Sequence, residues 1–171
     1  TQLGKSLRLP VRLVVAGAID REQAAAAGIP ATVVAGAAMA QYCSETWVAA
    51  LAPVVQSRKA AFAVLAHSSR GADFAPGLAM RLGCCCVTAV DAFRLEGAAV
   101  VFSRQAWNGK LRMEVEPQAL PAVVTVMPGA VKPAVPPRRD PAEAEMEMEA
   151  IDAGAPIAGR MEPLGTIEAE P

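Results

Sequence analysis

Three cysteines stand side by side in RLGCCCVTAV, residues 81–90. Contiguous thiols raise three possibilities: a metal site, a redox switch, or core packing that contains sulfur. Neighbouring residues on a strand point to opposite faces, so Cys84 and Cys86 face one way and Cys85 the other. From a regular strand they do not converge on one ion. No Cys-x-x-Cys pair or nearby histidine completes a tetrahedral set. A disulfide between adjacent residues needs a distorted peptide. The reading that fits is small, weakly polar side chains buried in a central strand. Cys43, alone before a helix, reads as structural too. No metal ligand and no catalytic residue is assigned.

His67 is the single histidine. It follows an apolar run and precedes two serines, but a serine adjacent in sequence does not make a triad, and no G-x-S-x-G elbow is present. Asp73 is the nearest acid, and its spacing suits helix capping. A loop histidine satisfied locally is the simpler reading. SSRGAD (68–73) offers more, because it lies at the carboxyl end of a strand and the start of a helix. Ligands bind there in open α/β sheets, and helix N-termini attract anions. Ser68, Ser69, Arg70 and Gly71 could cradle a phosphate. No G-x-G-x-x-G or Walker motif accompanies them. Capping or a partner contact is the competing role, and helix-start serine and aspartate mostly cap.

The elements that position these residues follow from periodicity. VRLVVA (11–16), ATVVAG (31–36) and AFAVLA (61–66) are short apolar runs that read as buried strands. Asp20 and Gln23 have capping-box spacing before AAAA, with Gly28 at the end, which predicts a helix over 21–27. Ser44 is placed as the N-cap of a helix with Trp47, Leu51, Val54 and Val55 on one face; Pro53 should kink it. A helix over roughly 73–82 spaces Phe74, Leu78 and Leu82 four apart, with Gly83 past its end. Strand and helix alternate as in a parallel sheet covered on both faces. From Cys84 the rhythm changes. CCCVTAV, AAVVFSR (98–104), KLRMEVE (110–116) and AVVTVM (122–127) are separated by short turns, and Asn108-Gly109 is a hairpin signal. LRMEVE alternates Leu111, Met113 and Val115 with Arg112, Glu114 and Glu116, as an antiparallel strand with one wet face does.

The 171 residues suffice for one domain plus a tail. Hydrophobic residues make up 53%, with many alanines and valines, so the core rests on Val, Leu, Ile and a few aromatics. Net charge is −1, which argues against a general nucleic-acid binder. Residues 134–171 hold nine acids against three arginines, or −6, which leaves residues 1–133 at +5. The longest uncharged run, Gln23 to Ser44, contains Gly28, Pro30 and Gly36 and is no membrane span. Four cysteines, three contiguous, form no disulfide framework, so a reducing cytoplasm or organelle matrix is expected. PAVPPRRDPAEAEMEMEA is proline-rich and then acidic, and reads as a solvated linker. The expected division is therefore an α/β domain over 1–133 and an acidic linker over 134–171.

Three stretches carry a resemblance. RGADFAPGLAMRLG (70–83) resembles the G-x-D-L-x-P-x-x-A-x-x-L segment of electron transfer flavoprotein α subunits. CCCVTAVDAF (84–93) resembles the strand that follows it. SRQAWNGKLRMEVEPQALPAVVTVMPGAVKP (103–133) resembles the stretch leading into T-V-R-P-G-x-F-K. The similarity covers roughly residues 3–133. The sequence departs from the family pattern at Thr88-Ala89-Val90-Asp91, at Met127 and at Val131. The resemblance implies a three-layer α/β/α Rossmann-like fold of the adenine nucleotide α-hydrolase-like kind, mostly parallel, with antiparallel strands toward its end. It also implies that the sequence begins after the family's first strand. The family's FAD-binding domain would follow the linker, and its G-x-S-G-A-x-Q-H motif is not in the sequence.

By that resemblance the chain is a non-catalytic docking domain. Its partners would be an electron transfer flavoprotein β subunit, the FAD-binding domain of the α subunit, and an acyl-CoA-type dehydrogenase as electron donor. FAD would be held by another domain, and neither nucleic acid nor membrane insertion is expected. The main alternative is an autonomous module that binds AMP or ATP through Ser68–Gly71. A small enzyme using His67 or a cysteine is supported by residue identity alone.

Overall fold

The computed structural model describes residues 2–17, 24, 27–130, 148–155, 157 and 161. Its helices are α1 (Gln2–Leu7), α2 (Ser44–Ser57) and α3 (Ser69–Leu82), with a 3-10 turn at Ala37–Met39. Its strands are β1 (Leu13–Ala16), β2 (Ala31–Ala35), β3 (Phe62–Ala66), β4 (Cys85–Glu96), β5 (Ala99–Ala106), β6 (Leu111–Val115), β7 (Ala122–Val126) and β8 (Met148–Asp152). The helix expected over 21–27 lies outside the described residues, apart from Ala24, which is helical and buried, and Ala27.

The strands form two sheets. One has the order β1-β2-β8 and is wholly parallel. The other has the order β3-β7-β4-β5-β6. Its β3, β7 and β4 run parallel, while β5 and β6 are antiparallel additions. The Rossmann-like α/β architecture with late antiparallel strands is therefore present. Strand β8 departs from the expectation of a solvated acidic linker over 134–171, because residues 148–152 pair with β2. Ile151 packs against the larger core cluster, and Glu149, two residues earlier on the same face, reaches Arg58 at the end of α2. Met148 is half-buried, and an edge strand tolerates the exposed acids Glu149 and Asp152. Residues 131–147, which include the expected 133/134 boundary, lie outside the described residues.

Central strand β7 shows why the sheet has two covered faces. Val123 joins Leu51, Val54, Phe74 and Leu78 of α2 and α3 in one cluster. Its neighbour Val124 joins Leu3 of α1, with Val87, Val90, Val100 and Phe102, in a second cluster. Consecutive residues of a strand point to opposite sides, so α1 lies on one face and α2 and α3 on the other. The second cluster is closed by an edge-to-face contact of Phe62 on Phe102, ring centroids 6.0 Å apart. Burying a Phe or Leu fully contributes about 1.5–3 kcal/mol, so Phe102 and Leu78 anchor the two faces.

The helix boundaries shift from expectation. Helix α2 is preceded by Cys43 as N-cap, with no side-chain cap bond, and Ser44 is its first helical residue. The helix runs through Pro53 to Ser57. Helix α3 starts four residues before the expected 73, because Ser68 caps it. Gly83 ends it at φ 67°, the left-handed cap that glycine adopts without strain. The hairpin expected at Asn108-Gly109 joins β5 and β6. Among the described residues no helix is long and apolar enough to cross a membrane.

Candidate functional site

The carboxyl ends of the parallel strands β3, β7 and β4 bring together residues that are far apart in sequence. His67 leaves β3, and its backbone N–H donates to the Val126 carbonyl at 2.8 Å. Its Nδ1 lies 2.8 Å from Thr125 Oγ1 on β7. The same oxygen accepts from the Ala89 N–H at 2.9 Å. The Thr125 hydroxyl, with one proton and two lone pairs, can serve both partners at once. Ala89 sits at φ 57°, in the irregularity where β4 shifts register against β7 between Val87 and Val90. That bulge turns the Ala89 amide toward Thr125, which is fully buried.

The four residues of the expected anion site fall at the start of α3 as anticipated, and one backbone donor among them, the Gly71 N–H, is engaged in the turn. Ser68 Oγ accepts from the Gly71 N–H at 3.2 Å, an N-cap bond. Gly71 presses on the preceding strand, and a Cβ there would meet the Ala66 carbonyl oxygen at 1.9 Å. Ser69 and Arg70 are exposed. The Arg70 guanidinium lies over the Tyr42 ring at 5.4 Å and the Trp47 ring at 6.0 Å. Such stacking stabilises an exposed site by about 0.5–1 kcal/mol.

Asp73 neither caps the helix nor serves His67. Its Oδ2 accepts from the Tyr42 hydroxyl at 2.6 Å. Burial pushes the Tyr42 phenol well above its ordinary range, and the hydrogen bond and negative charge of Asp73 add to that. Tyr42 therefore holds its proton. Tyr42 also stacks edge-on against Trp47, and Trp47 against Phe74, with centroids 5.1 and 5.7 Å apart. Arginine, phenol, carboxylate and indole form one cluster between α2 and α3.

The cysteines divide as strand alternation requires. Cys84 and Cys86 are half-buried against the α2–α3 cluster, and Val87 faces the other cluster. Burial pushes both thiols up, with further repulsion from neighbouring thiols. Cys85 is exposed, contrary to the expectation that all three are buried, because it borders an open groove on the other side of the strand. That groove holds about 370 Å³ between residues 83–87 and 115–121. Its lining includes three thiols and Glu116 but no cation, so it is ill matched to the pyrophosphate of a dinucleotide such as FAD. Among the described residues no group of three His, Cys, Asp or Glu is placed to hold a metal ion.

The stretch that departs from the family pattern is also structural. Thr88 Oγ1 accepts from Arg104 Nη1 at 3.0 Å, and Asp91 pairs with Arg112 at 2.6 Å. Sequence reasoning did not single out Thr125, Tyr42 or Trp47 as parts of this end of the sheet. A threonine inside the otherwise apolar AVVTVM was the one available signal.

The rim is held by side-chain hydrogen bonds from His67 to Thr125 and from Tyr42 to Asp73, while the Trp47 indole N–H is buried without a hydrogen-bond partner; among the described residues no exposed nucleophile is paired to a base. The family comparison accords with it. The model of the electron transfer flavoprotein domain matches residues 1–155. The chain belongs to the electron transfer flavoprotein domain family. The match extends past the similarity read from sequence, which stopped at 133, and takes in β8. A search of curated proteins finds no match. Members of this family carry electrons and work with a second flavoprotein subunit and with dehydrogenases.

Proposed function

We propose that this chain is a non-catalytic docking domain of an electron transfer flavoprotein, of the α-subunit type. It would support electron transfer from an acyl-CoA-type dehydrogenase through FAD held by another domain. The observation that carries the reading is the match of the flavoprotein domain across residues 1–155. The locked rim supports it: His67 is bonded to Thr125, Tyr42 to Asp73, and Ser68 to its own helix. Such a rim offers fixed shape and charge to a partner.

In this reading FAD supplies the redox chemistry wherever it is bound, and this chain contributes position only. Its natural companion is an electron transfer flavoprotein β subunit, in a reducing compartment where the four free thiols persist. The test is co-expression with a β subunit, followed by affinity capture and an absorption spectrum. A stable complex, and a colourless chain when isolated, are expected. Stoichiometric FAD bound to the isolated chain would overturn the reading.

A further inference from the structure

Strand β6 is the last in its sheet, and among the described residues only β5 pairs with it. Its outer row of backbone donors and acceptors is a template for another strand. Its apolar side chains are uncovered too, with Leu111 56% and Met113 46% exposed. In the residues from 110 to 116, Lys-Leu-Arg-Met-Glu-Val-Glu, charged positions equidistant from Met113 carry opposite charges. An antiparallel two-fold through Met113 sets Lys110 against Glu116, Leu111 against Val115, and Arg112 against Glu114, each twice.

Opposed residues of an antiparallel pair share a face. Every charge pair therefore lies on the wet face, and every aliphatic pair on the other. The register is singled out as well. A slip of one residue sets charged side chains against aliphatic ones. A slip of two sets Arg112 against Arg112, or Glu114 against Glu114. Within the chain, Arg112 already meets Asp91 and Glu114 already meets Arg94, on the same face. Pairing would extend these into a row of alternating sign, from Asp91 and Arg112 of one copy to Glu114 and Arg94 of the second.

We propose that β6 is a self-association edge: two copies of this chain pair β6 to β6, antiparallel about Met113, and join their five-stranded sheets into one. The contact is isologous, as a two-fold requires. One strand edge is smaller than a standard interface, so the dimer is weak and concentration-dependent. The proposal does not rest on the flavoprotein reading, since it needs neither flavin nor a second subunit.

The test is sedimentation of the full chain from about 10 µM to about 1 mM, a range that spans weak association. Arg112→Glu places glutamates opposite each other at both central pairs, and Glu114→Arg places arginines there. Each variant alone should associate about tenfold more weakly, or less. An equimolar mixture of the two restores opposite charges at every pair and should recover wild-type affinity, which a folding defect cannot do. Should either variant lose its native circular dichroism, Lys110→Glu and Glu116→Lys supply the same exchange outside the strand. A wild-type chain that stays monomeric overturns the proposal. So do variants that associate like wild type, or a mixture that fails to recover.

Discussion

Replacing Thr125 with valine tests whether the rim is held by the hydrogen bonds described. The site is fully buried, and valine keeps the branched shape, so packing changes little. What is lost is the oxygen that accepts from Ala89 at 2.9 Å and meets His67 at 2.8 Å. A stranded buried amide costs about 1–3 kcal/mol, and a lost hydrogen bond about 0.5–1.5 kcal/mol. Both partners are half-buried, but the His67 ring can turn its nitrogen toward water while the Ala89 amide is fixed in the backbone of the bulge, so most of the loss comes from Ala89. The additional apolar burial of valine offsets roughly 1 kcal/mol of this. The expected destabilisation is about 2 kcal/mol, read as a lowered midpoint in urea at unchanged slope. Thr125→Ser keeps the oxygen and loses one methyl, so it should cost about 1 kcal/mol or less. His67→Ala should likewise cost about 1 kcal/mol or less. The double variant of Thr125→Val and His67→Ala should cost less than the two singles together, because they share a bond. If Thr125→Val proves no more damaging than Thr125→Ser, the oxygen is not what holds the bulge, and the account of the rim is wrong.

Gly71→Ala drives a Cβ into the Ala66 carbonyl oxygen, so α3 must shift off β3; a loss of about 1–3 kcal/mol is expected by thermal unfolding. Aromatic disulfide reagents at mild alkaline pH should modify Cys85 well before Cys84 and Cys86, as read by mass spectrometry of timed samples. Cys85 is exposed, while burial raises the thiols of the other two and thins their thiolate. The raised thiols of Cys84 and Cys86, and the raised phenol of Tyr42, make stability pH-dependent. All three are neutral in both states below their ordinary values, where stability is complete. It should begin to fall as pH climbs past about 8.5, where the unfolded thiols ionise, and fall further past about 10, where the unfolded phenol ionises; a flat urea midpoint from neutral pH to about 11 would contradict this. Glu114, held below the usual carboxylate range by its hydrogen bond from Arg94, should titrate higher by NMR in Arg94→Ala.

Residues whose neighbours lie close in sequence were readable without the fold. The run AFAVLA, the Phe74–Leu78 spacing and Gly83 each satisfy a local rule; β3 and the left-handed cap of α3 occur where those rules place them, although α3 begins four residues earlier than its apolar spacing implied. The alternation of Cys84, Cys85 and Cys86 was legible for the same reason, since two-residue periodicity needs only the strand. The exposure of Cys85 was not, because it depends on what the residue passes beside. Strand β8 was misread as linker because acidic, methionine-rich composition resembles solvated chain. Only parallel pairing with β2, more than a hundred residues away, gives Ile151 a core to enter.

The rim of the sheet shows the division most sharply. Sequence by itself determined that residues 68–71 open a helix at the end of a strand, and that no catalytic spacing accompanies His67. It could not reveal that His67 meets Thr125, 58 positions on, or that Tyr42 meets Asp73, 31 positions on. Hydrogen bonds of that kind depend on strand order and on a bulge at Ala89, and both are decided by packing across the sheet. Local propensity sets which residues form an element; the burial of two opposite faces sets which elements lie side by side, and so which side chains find each other.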